Sequence, residues 1–217
     1  VKVPKVIYSA DSIHSGKINV WQQNGSLVLE VGGYPQSVSL DTPDLHKRYW
    51  SRATEEVSQR LTKPKTALIV GVGGATIPHL LARRFPEMLL VGVEIDPEVL
   101  QIARQFFDLD RIARLAVLEG DGHRVVFSHQ GPGFDLTFID AYLGGNFPLH
   151  FAEDDFLHRL REITSPEGVI AINRASGFAK REFNDLLGKV FASVEVVRIP
   201  LPGFLGNMGG NFLYLCR

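Results

Sequence analysis

The chain has 217 residues, 45% hydrophobic and 22% charged, with a formal net charge of −1. That is apolar material enough for one α/β domain with a small appendage, and it excludes global disorder. Near-neutral charge without a long basic run argues against nucleic acid as a partner, and no apolar run reaches the roughly 18 residues of a membrane span.

In chain order, residues 1–5 carry no signal-peptide core, so a cytoplasmic enzyme with no membrane partner is the expectation. Residues 17–21 and 27–31 read as short strands around Asn24-Gly25, a strong hairpin signal. Residues 34–40 add a third strand after Gly32-Gly33, and Asp41-Thr42-Pro43 punctuates the chain. Residues 46–61 read as a helix before Pro64. The expected organisation is an N-terminal β region over 1–45, a connecting helix and linker over 46–65, and a ligand-binding domain over 66–217.

From Thr66 onward strands and helices alternate. Strands are expected at 67–70, 89–94, 113–119, 136–140 and 169–173, and helices at 77–84, 98–107, 152–163 and 180–187. Pro97 suits a first helical turn capped by Asp96. Residues 190–199 and 211–216 read as closing strands joined by the proline- and glycine-rich stretch 200–210. The fold class is α/β: a seven-stranded, mostly parallel Rossmann-like sheet with an antiparallel edge and a small N-terminal β-hairpin region. Cys216, the single cysteine, excludes an internal disulfide and reads as a buried thiol in the last strand.

The apolar run into Val70 breaks into Gly71-Val72-Gly73-Gly74-Ala75-Thr76, and Ile77, Leu80 and Leu81 then recur at helical spacing. About twenty residues on, a second apolar run ends in Val93-Glu94-Ile95-Asp96. Strand, glycine turn, helix, strand and acid together point to a nucleoside-containing ligand, with an ordinary tight turn as the alternative. No Gly-Lys-Ser/Thr follows the glycines, which excludes an ATP phosphate loop of that type.

Ligands of open α/β sheets lie beyond the carboxyl ends of strands. The successive ends here carry Gly71, Gly73 and Gly74, then Glu94, then Gly120-Asp121-Gly122, then Asp140-Ala141-Tyr142. A carboxylate at Glu94 suits a ribose diol. Asp121 suits an adenine amine, or an Asp-Gly turn. Asp140 suits proton transfer or a cationic substrate, or a capping role. The seven histidines form no HxH or HxxxH pair, so no metal is expected. Ser176-Gly177 lacks the G-x-S-x-G context of a hydrolase nucleophile.

These residues resemble the spermidine synthase family, whose domain has the class I methyltransferase-like fold. The resemblance runs over nearly the whole chain. It implies that residues 71–76 form the nucleoside loop, Glu94 the ribose acid, Asp121 and Gly122 the adenine turn, and Asp140 the catalytic aspartate. Gly33-Tyr34-Pro35-Gln36 resembles the family's Gly-x-x-Gln, which implies a cofactor contact for Gln36. His46 falls in a tyrosine–histidine substrate segment, and Tyr142 beside Asp140 is expected on the substrate side. Residues 199–206 resemble a proline-rich loop before the last strand. The implied cofactor is S-adenosylmethionine or its decarboxylated form. The implied partners are a small-molecule acceptor, with an amine as one candidate, and a second copy in a homodimer or larger assembly.

The chain departs from that pattern where the family places charge. Gly74 and Leu143 stand where family synthases have aspartates, Leu45 stands at the front-segment tyrosine, and Gly32-Gly33 replaces Asp-Gly. A polyamine in a dry cleft needs carboxylates to offset desolvation. The expectation is therefore a transferase of this type that is not a standard putrescine aminopropyltransferase. The alternatives are a methyltransferase and a catalytically inactive binding or assembly protein.

Overall fold

The computed structural model describes residues 3–143, 145–175, 180–200 and 210–217. The chain opens with four antiparallel strands in sequential order: β1 (Lys5–Ser12), β2 (Gly16–Gln23), β3 (Ser26–Val31) and β4 (Tyr34–Val38). Asn24 and Gly25 both take positive φ, as the tight turn between β2 and β3 requires. The front sheet is one strand larger than the sequence reading. Most of β1 is exposed, so it lacks the buried alternation that marks a strand, and pairing to β2 supplies its order.

A 3-10 turn, Leu45–Lys47, precedes α1 (Tyr49–Ser58), which is shorter at both ends than the expected helix. Then come β5 (Thr66–Val70), α2 (Thr76–Arg84), β6 (Leu89–Glu94), α3 (Pro97–Phe106), β7 (Leu115–Glu119), α4 (Gly122–Ser128) and β8 (Phe134–Ile139). They are followed by α5 (Asp154–Ile163), β9 (Thr164–Ala175), α6 (Lys180–Val190), β10 (Val194–Pro200) and β11 (Gly210–Cys216). The expected elements are present with shifted ends, and α4 is an addition. The stretches 176–179 and 201–209, which hold Ser176-Gly177 and most of the proline-rich segment, lie outside the described residues.

The second sheet has the order β10-β11-β9-β8-β5-β6-β7. The pairs β5–β6, β5–β8, β6–β7 and β8–β9 are parallel, and β11 runs antiparallel to both its neighbours. β5 is buried on both faces. Ala67 and Ile69 join one core layer with Leu81, Leu90 and Phe138, while Leu68 and Val70 join the other with Phe156, Ile172 and Tyr214. That two-sided burial is why β5 reads as a continuous apolar run. Cys216 is buried among the second layer, and burial pushes its thiol up to about 12. No helix among the described residues is long and apolar enough to cross a membrane.

The front sheet packs Ile18, Val20, Leu29 and Val31 against Val99, Ile102 and Phe107 on and just after α3. A polar clasp fixes its far end. The Thr76 hydroxyl at the start of α2 donates to the Val38 carbonyl (2.7 Å) and accepts from the Val38 N–H (3.0 Å). The Ser37 hydroxyl accepts from the Gly74 N–H (2.8 Å). All three bonds are buried, so replacing Thr76 by valine leaves two backbone groups without partners. Thr76→Val is expected to lower unfolding stability by about 2–4 kcal/mol, and Thr76→Ser by less than half of that. Urea denaturation of the two variants checks this.

Candidate functional site

The chain leaves β5 for β6 on one side and returns to β8 on the other, which makes the carboxyl end of β5 a topological switch point. A cavity of about 370 Å³ lies there, and Tyr34, Pro35, Gln36 and Ser37 of β4 form part of its wall. The clasp between β4 and the glycine turn holds that wall in place.

Gly71 has a φ of 93° and donates its N–H to the Val93 carbonyl (2.9 Å). A Cβ at Gly71 would lie well inside contact distance of the Asp140 carbonyl oxygen. Glycine is required there both by φ and by the close approach of β8. Gly73, also at positive φ, lines the cavity. Gly74 does not: it is buried behind the loop, where a Cβ would stand 2.7 Å from Ser37 Cβ and 3.2 Å from the Phe107 ring. The structure thus withdraws Gly74 from the set of lining residues.

Glu94 closes β6 at the cavity wall. One carboxylate oxygen accepts from Val72 N–H (3.1 Å) and Gly73 N–H (3.0 Å), and the other from Asp96 N–H (3.2 Å). Burial pushes the Glu94 carboxyl up, and these three amides work against that rise. Asp121 and Gly122 also line the cavity. The Asp121 carboxylate caps α4 by accepting from His123 N–H (2.9 Å), so the Asp-Gly pair starts a helix. A Cβ on Gly122 would collide with Val70, which shows how tightly α4 meets β5.

Asp140 follows β8. Its backbone N–H is held by the Val70 carbonyl (2.8 Å), and its Oδ1 accepts from Asn173 Nδ2 (2.6 Å). Burial pushes the Asp140 carboxyl up to about 6, against the opposing effects of Asn173 and the Tyr49 hydroxyl. Burial and the Asp140 charge together push the Tyr49 phenol well above its usual range. Tyr142 lines the same region, but its hydroxyl is committed to β9: it donates to the Asn173 carbonyl (3.2 Å) and accepts from Ala175 N–H (2.8 Å). Leu143 lines the cavity on a turn closed by two backbone bonds with Asn146.

Of the candidate residues read from the sequence, Gln36, Gly71, Gly73, Glu94, Asp121, Gly122, Asp140 and Tyr142 converge on this cavity. His46 does not: it is exposed on the 3-10 turn, outside the lining. The tyrosine near Asp140 comes from position 49, the first residue of α1, and not from the position of Leu45. The lining residues that the sequence did not single out include Tyr49, His150 and Asn173. Asn173 carried a usable signal, since a polar residue closing an apolar strand is the pattern that marked Glu94. The Tyr49 hydroxyl, His150 Nε2 and Asn173 Oδ1 are buried and lack a hydrogen-bond partner among the described residues. No group of three or more His, Cys, Asp or Glu side chains among the described residues is placed to hold a metal ion.

No protein-family model matches the chain. It is 35% identical over 150 residues to the polyamine aminopropyltransferase of Vibrio vulnificus, an alignment covering 67% of this chain and 49% of that protein. The fold is shared: a probable spermidine synthase from Corynebacterium glutamicum superposes with a TM-score of 0.79 at 18% identity, covering 100% of this chain and 80% of that one. The chain belongs to the spermidine synthase family. Its fold is the class I methyltransferase-like fold with an added antiparallel front sheet. A second relative, the human eEF1A lysine and N-terminal methyltransferase, is 34% identical over 121 residues, covering 51% of this chain and 17% of that protein. The chain thus spans about half the length of the Vibrio relative and a smaller share of the human one. Two further structures share the fold. A spermidine synthase in complex with the transition-state analogue AdoDATO has a TM-score of 0.77 at 18% identity, covering 97% of this chain and 73% of that one. Human methyltransferase-like protein 13 in complex with SAH has a TM-score of 0.62 at 26% identity, covering 77% and 78%.

The Asp140 environment has a stability consequence. Its folded pKa lies above the unfolded value, so the penalty is absent where the carboxyl is protonated and grows as pH rises from about 4 through about 6. Asp140→Asn removes the penalty while keeping an oxygen for Asn173. The ligand-free variant is expected to exceed wild type in stability at pH 8 by on the order of 1–3 kcal/mol, with little gain at pH 4. Denaturant titrations at the two pH values measure it.

Proposed function

We propose that this chain is a transferase that uses an adenosyl sulfonium to alkylate an amine, and that putrescine is not its ordinary acceptor. The observation that carries the reading is Asp140: a half-buried carboxylate lining the cavity at the switch point, with one oxygen held by Asn173 and a carboxyl pushed up to about 6. A base with that pKa is mostly ionised at neutral pH and still able to hold a proton. The names of the relatives, an aminopropyltransferase and an amine-directed methyltransferase, support amine alkylation in two forms. AdoDATO and SAH in the related structures support an adenosyl ligand.

The residues present fit such a ligand. Glu94, Asp121, Gln36 and the Gly71–Gly73 backbone would hold it, and the unpartnered Tyr49, His150 and Asn173 atoms supply further polar contacts. Glu94 has a double task, because a carboxylate offers about four acceptor sites and three backbone amides already use it. It sets the shape of the glycine turn while presenting its remaining capacity to a diol.

When bound, the adenosyl sulfonium supplies an electrophilic carbon: the amine lone pair forms the new N–C bond, the C–S electron pair returns to sulfur to leave a neutral thioether, and the amine gives up a proton. Asp140 takes that proton on the oxygen that Asn173 does not hold. Asn173 orients the carboxylate, and the Tyr49 phenol lies beside it. Methyl transfer from S-adenosylmethionine is the second reading. It is favoured by the glycine turn itself, which carries no side-chain carboxylate to repel that of the donor.

Calorimetry with S-adenosylhomocysteine and 5′-methylthioadenosine tests the site. Glu94→Ala, shown to be folded, is expected to weaken binding by about 1–3 kcal/mol; unchanged affinity removes Glu94 from the ligand. Mass spectrometry of products from each sulfonium donor separates methyl from aminopropyl transfer, and binding without transfer to any acceptor favours the inactive alternative. Where transfer occurs, kcat/KM is expected to fall tenfold per pH unit well below an apparent pKa of about 6. Asp140→Asn is expected to abolish that limb together with most of the activity.

A further inference from the structure

The acceptor side of the cavity is poor in charge. Among the described lining residues the carboxylates are Glu94, Asp121 and Asp140. Glu94 is engaged by three backbone amides and Asp121 caps α4. In the transfer reading above Glu94 and Asp121 face the adenosyl ligand, which leaves Asp140 as the carboxylate on the acceptor side. The chain outside the described residues adds none, since 1–2, 144, 176–179 and 201–209 contain no Asp or Glu. Besides Asn173 and His150, the lining includes the aromatic and aliphatic residues Tyr34, Tyr49, Trp50, Tyr142, Leu143 and Phe151. Tyr142 has spent its hydroxyl on β9, which leaves its ring as contact surface. The Leu143 turn lies against the front sheet, because a Cβ on Gly145 would stand 2.6 Å from the Tyr34 ring.

We infer that the acceptor, in the transfer reaction proposed above, presents one amine on an apolar or aromatic body, and that di- and polyamines are excluded by the lack of a second carboxylate. One ammonium meets Asp140 and gains from the aromatic faces around it. A second ammonium on a short linker would leave water for a part of the lining that offers it no second carboxylate, so its desolvation is not offset by an opposite charge. An apolar body in the same place gains from burial. The chemistry is shared by a free arylalkyl amine and by the amino terminus of an apolar peptide.

The test uses the full chain saturated with whichever of S-adenosylhomocysteine or 5′-methylthioadenosine it binds. Calorimetry then compares benzylamine, a tri-leucine amide with a free amino terminus, and putrescine. Wild type is expected to bind benzylamine or the peptide at least tenfold more tightly than putrescine, and the tighter arm identifies the source of the amine. Leu143→Asp is expected to improve putrescine binding at least tenfold, and Leu143→Asn, of similar size without the charge, to leave it unchanged. Putrescine binding equal to or tighter than both other probes overturns the inference, as does no binding of any amine to the adenosyl complex. Equal gains in the Asp and Asn variants overturn it too, since charge would then not be the discriminator. If neither adenosyl ligand binds, the transferase reading itself fails and this inference falls with it; in every other case the two are judged separately.

Discussion

The buried clasp between β4 and the start of α2 is the interaction on which the site depends. Thr76 satisfies both backbone groups of Val38, and Ser37 takes the Gly74 N–H. Without these bonds the front sheet would touch the main domain chiefly through apolar packing on α3, which is non-directional and tolerates sliding. With them, Gln36 is held beside the glycine turn and Tyr34 against the turn that follows Leu143. The front sheet is then a wall of the cavity and not only an appendage beside it.

Glu94 and Asp140 show two ways of keeping a carboxylate in a half-buried place. Glu94 is surrounded by backbone N–H donors, which favour its ionised form and oppose the effect of burial. Asp140 has one side-chain amide and a phenol, and burial prevails. The first arrangement suits a group that holds shape and accepts hydrogen bonds. The second suits a group that changes protonation state, and it carries a stability cost in the free protein of the kind common at functional sites.

Much of the fold was legible because β5, β6, β8 and β9 are buried on both faces and their apolar runs end sharply in glycine, Glu94, Asp140 and Asn173. β1 was not legible, since a largely exposed strand has no side-chain pattern to read. α4 was hidden because Asp121-Gly122 reads as a turn, although an Asp before a short helix is also a cap. The strand-end residues of the site were visible as a series. The direction of a side chain was not: Gly74 sits inside the glycine motif yet faces Ser37 and Phe107. Tyr49 was hidden for a related reason. Its approach to Asp140 depends on where α1 begins, three residues after His46, and spacing along the chain does not determine that.

The close approach of Gly71 to the backbone of Asp140 bears on how such a chain can diverge. The glycine turn and Asp140 are separate motifs in sequence but one steric unit in space. A lineage that replaced this glycine would displace the end of β8, and the glycine turn and Asp140 would be disturbed by one mutational event. Loss of chemistry with retention of binding has a narrower route, through the Asp140 side chain alone. Descendants that keep Gly71 and change Asp140 would therefore be the mark of a fold passing from catalysis to recognition.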